Sequence, residues 1–149
     1  EDSGILRLAI YYHDIIYDPC GDDNELESAR LASTTLRGLG MKDPSPVYEL
    51  IRATDHRPLL PFEHDLPTDL ICDLDLAILG SPPEQYEAYA AAIRKEHDWL
   101  PEPRYRGGRI KILMAFHDRP EIYLTADFRK RFEKQARANL AEEIRRLRG

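Results

Sequence analysis

The sequence predicts an all-α protein that folds as a single-domain helical bundle over residues 1–149. Apolar residues recur at steps of three and four through most of the chain, and this spacing places them on one face of a helix. No pair of alternating strands, no internal repeat of about 20 to 50 residues and no low-complexity linker interrupts the pattern. A chain of 149 residues is large enough to bury a core without disulfides or structural metals.

Composition narrows the functional classes. The formal net charge is -6 and the sequence pI is near 5.4, so we expect no nucleic-acid partner. Cys20 and Cys72 have no CxxC spacing, which is typical of reduced thiols in a cytoplasmic protein and argues against a metal cluster built on sulfur. There is no run of about 18 apolar residues, so we expect no membrane partner. The chain begins at Glu1 rather than at a methionine, and we expect that an N-terminal piece is missing.

The first two predicted helices differ in character. Residues 5–17 are apolar on nearly every side, which predicts a buried central helix that ends before Pro19 and Gly21. The second helix begins at Asp23, which can serve as N-cap, and ends at Gly38. Its apolar stripe comprises Leu26, Ala29, Ala32 and Leu36.

Two further helices follow in the middle of the chain. The third has Ser45 as its expected cap and Pro46 in its first turn, and it ends close to His56. The fourth covers residues 68–80 and closes on Gly80. Their apolar faces comprise Val47, Leu50, Ile51 and Thr54 in the third helix, and Leu70, Ile71, Leu74, Ala77 and Ile78 in the fourth.

Three more helices are predicted over residues 81–100, 107–120 and 125–147. The last of them is long and amphipathic, with a polar face rich in charges. It either closes the bundle or pairs with a second copy of the chain, so a homo-oligomer stays open at this point.

Histidine is followed by aspartate at four of the five histidines. Three of these pairs lie where a helix or turn should begin or end, and a polar pair is expected there. They are His64-Asp65, His97-Asp98 and His117-Asp118. The fourth pair, His13-Asp14, is embedded in the apolar stretch "LAIYYHDIIYDP" and therefore needs a partner of its own.

A metal ion is one partner that would satisfy His13 and Asp14, because it neutralises a carboxylate and binds a neutral imidazole. The alternative is a structural pair, in which the imidazole donates to a carbonyl and the carboxylate pairs with an arginine. Neighbouring helix positions point about 100° apart, so the two side chains converge only on something held against the helix.

Two further segments favour an arrangement in which histidine and carboxylate side chains from several helices meet at one point. Asp73 and Asp75 lie in the mostly apolar stretch "ICDLDLAILG", and His56 ends the apolar helix "IRATDH". Three helices that pack on one core would then each bring a histidine or carboxylate to it. Because Leu70, Leu74 and Ile78 form the expected core stripe, at least one of the two aspartates should be peripheral, and the residues alone do not say which.

These segments resemble the HD superfamily of metal-dependent phosphohydrolases. "YYHDIIYDP" resembles the His-Asp element of that family, and "CDLDLAILG" resembles the segment that supplies its last aspartate. "DNELESA", "IRATDH" and "RANLAEE" are similar to a subgroup of small stand-alone bacterial HD hydrolases without characterised substrates. The resemblance runs from about Leu6 to about Glu143 and implies an all-α HD-type bundle.

The resemblance also implies a site. His13, Asp14 and Asp75 would be ligands of a divalent metal ion, and Asp73 would be a neighbour of that ion. The family's first histidine belongs to an upstream helix, and nothing before Ile5 supplies it. A histidine and carboxylate ligand set suits Mn, Fe, Mg, Ni or Zn. The ion would activate a water molecule for attack on the phosphoryl group of a small phosphorylated substrate, which we expect to be a nucleotide.

Side chains outside the ligand set would position the substrate and the water. Glu25 or Glu27 would orient the water, although both are also explained as acids favoured at a helix start. His56 would lie beside the metal or donate to phosphate. Arg52, Arg57 and Lys111 are phosphate candidates, although each is more typical of an ordinary surface charge. The rival functional prediction is a degenerate HD module that binds a nucleotide or a protein partner without catalysis.

Overall fold

A computed structural model describes residues 2–57 and 64–149, and every regular element in these ranges is helical. The α-helices are α1 (Asp2–Tyr12), α2 (Asn24–Gly38), α3 (Ser45–Ala53), α4 (Leu66–Asp75), α5 (Pro83–Glu96), α6 (Glu102–His117), α7 (Ala126–Phe128) and α8 (Lys134–Arg148). A 3-10 turn at Leu76–Gly80 follows α4, and a π-turn at Arg129–Glu133 joins α7 to α8. The all-α prediction is confirmed for the described residues, and the HD type stays a prediction.

The chain divides into two compact units, Glu1–Asp75 and Leu76–Gly149. In the first unit, α3 packs against α1, α2 and α4. This arrangement follows from the sequence of α3, whose Val47, Leu50 and Ile51 are all buried on one face. The rest of this core comprises Ala9, Ala29, Ala32, Leu36, Ala53, Ile71 and Cys72.

The first helix is shorter and more exposed than predicted. It ends at Tyr12, so His13 and Asp14 follow the helix and do not lie inside it. The physical reason is a side-chain cap: His13 Nδ1 donates to the carbonyl oxygen of Ile10 at 2.8 Å. That carbonyl would otherwise accept the amide of Asp14 in the next helical turn. The prediction of a buried central helix over 5–17 is wrong, since Tyr11 is 74% exposed.

The starts of α2 and α3 also differ in detail from the prediction. Asp23 precedes α2 without a side-chain cap hydrogen bond. Ser45 is the first residue of α3 rather than its cap, and its amide donates to Oδ1 of Asp43 at 3.0 Å. In both cases the predicted boundary is correct to within one residue, but the predicted capping side chain is not.

The second unit is built around the 3-10 turn. The Asn139 side-chain amide of α8 donates to the carbonyls of Leu79 and Ser81, each at 2.8 Å. Gly80 lies between them, and a Cβ at this position would approach Cβ of Phe132 to 2.6 Å. Glycine is therefore required here because the π-turn packs directly on the backbone. The core of this unit comprises Leu76, Leu79, Tyr86, Leu113, Ile122, Tyr123, Ala136, Leu140 and Ile144.

A buried ion pair joins α6 to α8 in the second unit. Arg109 Nε donates to Oε1 of Glu143 at 2.8 Å, and the Tyr86 hydroxyl donates to the same carboxylate. Burial of the Tyr86 hydroxyl, followed by the hydrogen bond and negative charge of Glu143, raises the pKa of this phenol above its usual range. We call Tyr86, Arg109 and Glu143 the Arg109 network. The hydrophobic spacing did not reveal it, because Glu143 belongs to the charged stretch that is expected on the polar face of the last helix, whereas its side chain is buried.

Candidate metal centre

The loop after α1 carries His13 and Asp14, and two polar residues of α2 hold it in place. The buried hydroxyl of Ser28 accepts the amide of Ile16 at 3.1 Å and lies 3.2 Å from its carbonyl oxygen. The Asn24 side chain accepts the amide of Asp18 and donates to its carbonyl, both at 2.9 Å. The segment "DNELESA" thus supplies the side chains that fix the loop next to His13.

The end of α3 carries His56. This helix ends at Ala53, and the Cys72 thiol of α4 donates to the Ala53 carbonyl at 3.2 Å. The Thr54 hydroxyl donates to the Ile51 carbonyl at 2.8 Å. These bonds satisfy carbonyls that the helix end leaves open, and they set the course of the chain into His56.

The end of α4 carries the two aspartates, and they occupy different environments. Asp73 is completely buried, and its neighbours Ile71 and Cys72 in the same helix are buried as well. Asp75 is the last residue of α4, and its side chain is 26% exposed. The prediction that Leu74 belongs to the core is wrong, because Leu74 is 41% exposed. The buried face of α4 is shifted by one position from the predicted stripe, which places Asp73 inside the unit.

Asp75 brings two histidines together. His56 Nε2 lies 2.8 Å from Oδ2 of Asp75, and His13 Nε2 lies 3.3 Å from Oδ1. The side chains of His56 and His13 are 18% and 24% exposed, so solvent reaches all three groups. We call His13, His56 and Asp75 the His–Asp–His cluster. It joins the ends of α1, α3 and α4 within the first unit.

The charges of the cluster stabilise one another. The hydrogen bond to Asp75 raises the pKa of His13 to about 9, against the opposing effect of burial. Burial raises the pKa of the Asp75 carboxyl, but the hydrogen bonds from His13 and His56 outweigh it and lower the value to about 2. Asp75 is therefore ionised and His13 protonated at neutral pH.

The other predicted site residues take no part in the hydrogen bonds that Asp75 accepts from His13 and His56. Asp14 is exposed, and its negative charge makes a small contribution to the raised pKa of His13. Glu25 lies in the first turn of α2 and is half-buried. Glu27 pairs with Arg30 at 2.6 Å on the surface of α2, which favours its interpretation as a surface charge.

The sequence reading missed the role of Asp55. This aspartate is buried and accepts Nε of Arg57 at 2.7 Å and Nη2 at 2.6 Å, a bidentate pair directly beside His56. The hydrogen bonds from Arg57 hold the pKa of the Asp55 carboxyl below its usual range. The sequence offers one weak signal for this pair, since an aspartate stands two residues before an arginine at the end of a helix. The same spacing is equally expected for two independent surface charges.

The three remaining His-Asp pairs lie at helix ends, as predicted. Asp65 accepts the amide of Thr68 at 2.9 Å and caps α4. His97 follows α5, and His117 is the last residue of α6. The position of these three His-Asp pairs at helix ends is sufficient to explain them.

The donor chemistry of the cluster fits a divalent ion, while its present geometry is that of a hydrogen-bonded group. Within residues 2–57 and 64–149, no three His, Cys, Asp or Glu side chains are arranged as a metal site. The two imidazoles bind different oxygens of Asp75, which separates their nitrogens. His13 nevertheless donates through Nδ1 to a backbone carbonyl, which is the usual second contact of a metal-binding histidine.

Comparisons of the chain with protein-family models, with curated proteins and with solved structures found no match. Among the helices of the described ranges, none combines the length and apolar character needed to cross a bilayer.

Proposed function

We propose that this protein is a metal-dependent phosphohydrolase of the HD type that acts on a small phosphorylated compound, with a nucleotide as the leading candidate. The observation that carries the proposal is the His–Asp–His cluster, in which two histidines from separate helix ends meet one ionised carboxylate that solvent can reach. The pairing of His13 with Asp75 is also the one that the resemblance implies. The exposed Cys20 and the buried Cys72 agree with a reduced, cytoplasmic setting.

Asp75 and His13 would hold the ion, and Asp14 and His56 would be further donors. When bound, the ion would supply Lewis-acid activation of water and of the phosphoryl group. The hydrogen bond from His13 Nδ1 to the Ile10 carbonyl orients the ring, so that Nε2 faces Asp75. Glu25 would orient the attacking water and accept its proton.

Asp75 must exchange partners when the ion binds. At present its two oxygens accept hydrogen bonds from His13 and His56, and His13 is protonated. His13 would have to lose its proton before Nε2 could bind an ion, so metal binding would release that proton to solvent. Metal affinity should consequently rise with pH between neutrality and about pH 9.

The second candidate function is a degenerate HD module that binds a nucleotide or a protein partner. The observation that favours it is the lack of a three-ligand arrangement within the described ranges. A module of this kind would bind its ligand without metal and without turnover.

The test is metal content per chain by plasma mass spectrometry after incubation with Mn, Fe, Ni and Zn, followed by hydrolysis of a panel of phosphate esters and nucleotides. Asp75→Asn and His13→Gln are the informative variants. His117→Gln is the matched control, because it removes a histidine of a His-Asp pair at a helix end. We expect stoichiometric metal and metal-dependent hydrolysis in the wild type and the control, and loss of both in the two cluster variants. Metal or turnover that persists in Asp75→Asn contradicts the proposal.

A further inference from the structure

The feature that the proposed chemistry leaves unexplained is the pair formed by Asp55 and Arg57. The Asp55 side chain is 5% exposed, whereas the Arg57 side chain is 48% exposed. An ion pair with one exposed member adds little stability, and burying a carboxylate has a desolvation cost. The arrangement is better explained as a means of fixing the exposed guanidinium in one orientation.

The geometry leaves one edge of that guanidinium without a partner in the described part of the chain. Nε and one proton of Nη2 bind the two oxygens of Asp55, and the Arg57 amide donates to Oδ1 at 3.2 Å. Nη1 makes no hydrogen bond to any residue within 2–57 or 64–149. Nη1 and the second Nη2 proton therefore form a pair of parallel donors, which matches two oxygens of a phosphoryl group.

Position and charge also point to the phosphoryl group. Arg57 directly follows His56, whose Nε2 lies 2.8 Å from Asp75 in the cluster. The Arg57 guanidinium is charged at any working pH. The acidic groups that interact with it are Asp55, its hydrogen-bond partner, and, more weakly, Glu25 and Asp22. Glu25 is thus electrostatically coupled to Arg57, which places the candidate base and the candidate anion-binding side chain in one region of the first unit.

We propose that Arg57, held in place by buried Asp55, is the residue that binds the phosphoryl group of the substrate next to the His–Asp–His cluster. This assignment rests on the proposed hydrolase function, and it names the side chain that recognises the reacting group. Asp55 acts through Arg57 and is a positioning residue.

The experiment is equilibrium dialysis with labelled inorganic phosphate, on protein loaded with Mn²⁺ and on protein without metal. Arg57→Gln should lower phosphate affinity roughly tenfold to a hundredfold, the effect of losing a charged hydrogen-bonding partner. Arg57→Lys keeps the charge but cannot form two parallel bonds to Asp55, so it should lose most of that affinity as well. Arg30→Gln is the matched control, because Arg30 is an exposed arginine of the same unit that pairs only on the surface of α2.

The variant Asp55→Asn tests whether Asp55 acts by positioning Arg57 or only contributes to packing. It should lower phosphate affinity in the wild-type background and cause no further loss in Arg57→Gln, because Asp55 acts through that arginine. Unchanged affinity in Arg57→Gln, equal losses from Asp55→Asn in both backgrounds, or a wild type that binds no phosphate would each overturn the assignment.

Metal content and hydrolysis of the same proteins distinguish the two proposals. Phosphate affinity that depends on Arg57 in a protein without metal or turnover supports this assignment and contradicts the hydrolase. Metal-dependent hydrolysis combined with a phosphate affinity that does not change in Arg57→Gln supports the hydrolase and contradicts this assignment.

Discussion

Each unit of the protein contains a group of charged side chains that bond to one another, and the two groups differ in access to solvent. The Arg109 network is closed, since the side chains of Arg109 and Glu143 are 7% and 6% exposed. The His–Asp–His cluster is open, with every side chain between 18% and 26% exposed. Similar hydrogen bonds therefore serve different purposes: the closed group fixes a helix pair, and the open one can exchange its partners for a ligand.

The largest effect on stability should come from removing one partner from the Arg109 network. Glu143→Ala leaves the buried Arg109 guanidinium without its carboxylate partner, and we expect a loss of about 3 to 5 kcal/mol in the free energy of unfolding. Chemical denaturation measures this directly. Metal content per folded chain should stay at the wild-type value, and a change in metal content would break the distinction between the two groups.

The next largest effect concerns function. Asp75→Asn should lower metal-dependent kcat/KM by roughly a hundredfold or more, because one charged ligand and the partner of both histidines are lost. Asp73→Asn is the matched variant two residues earlier. We expect it to lower thermal stability, since Asp73 is completely buried. Equal loss of activity in both variants would show that the open group has no special role.

A smaller effect should follow from Gly80→Ala. The new Cβ would meet the backbone oxygen of Phe132 at 2.9 Å as well as its Cβ, so the 3-10 turn and the π-turn must move apart. We expect a loss of about 1 to 3 kcal/mol in the free energy of unfolding. Gly38→Ala is the control, because nothing lies within 4 Å of a Cβ there. A similar melting temperature for both variants would contradict the close approach.

The smallest effect is a dependence of stability on pH. The folded pKa of His13, about 9, lies above its usual 6.5, so its contribution is complete below pH 6.5 and is lost as pH rises to 9. The folded pKa of Asp75, about 2, lies below its usual 3.8, so its contribution is complete above pH 3.8 and is lost as pH falls to 2.

We therefore expect unfolding free energy to fall by about 1 to 2 kcal/mol between pH 6.5 and 9 in metal-free protein, since the pair is partly exposed. His13→Gln should remove this slope, and His117→Gln should retain it. A slope of the same size in His13→Gln would assign it to other groups.

The sequence predicted where most helices lie, but it was less successful in predicting which side chains are buried. Apolar spacing located seven helical segments, the last of which comprises α7, the π-turn and α8, because burial at steps of three and four dominates helix packing. It misjudged α1, since the bond from His13 to the Ile10 carbonyl ends the helix and no pattern of apolar residues encodes that bond. It also misjudged Leu74 and Asp73, because a shift of one position along α4 changes which side chains are buried.

The site was predicted in part for similar reasons. Polar side chains in apolar segments require partners, and this made His13, His56 and one of the two aspartates candidates. The choice of Asp75 over Asp73 came from the resemblance to the HD superfamily. Their mutual distances depend on how α3 packs between α1 and α4, which the sequence does not give. The role of Asp55 could not be predicted, since a buried aspartate and a surface one look alike next to an arginine.

The hydrogen bond between the Ile16 amide and the Ser28 hydroxyl makes it possible to measure motion of the loop after α1. The Ile16 amide is bound to a completely buried side chain, so its proton can exchange with solvent only when the loop lifts from α2. Hydrogen exchange at this one amide therefore measures how often the segment carrying His13 opens, in the absence of any ligand. If the cluster releases its histidines to bind an ion, exchange at Ile16 reports how readily the loop that carries His13 can open for that step.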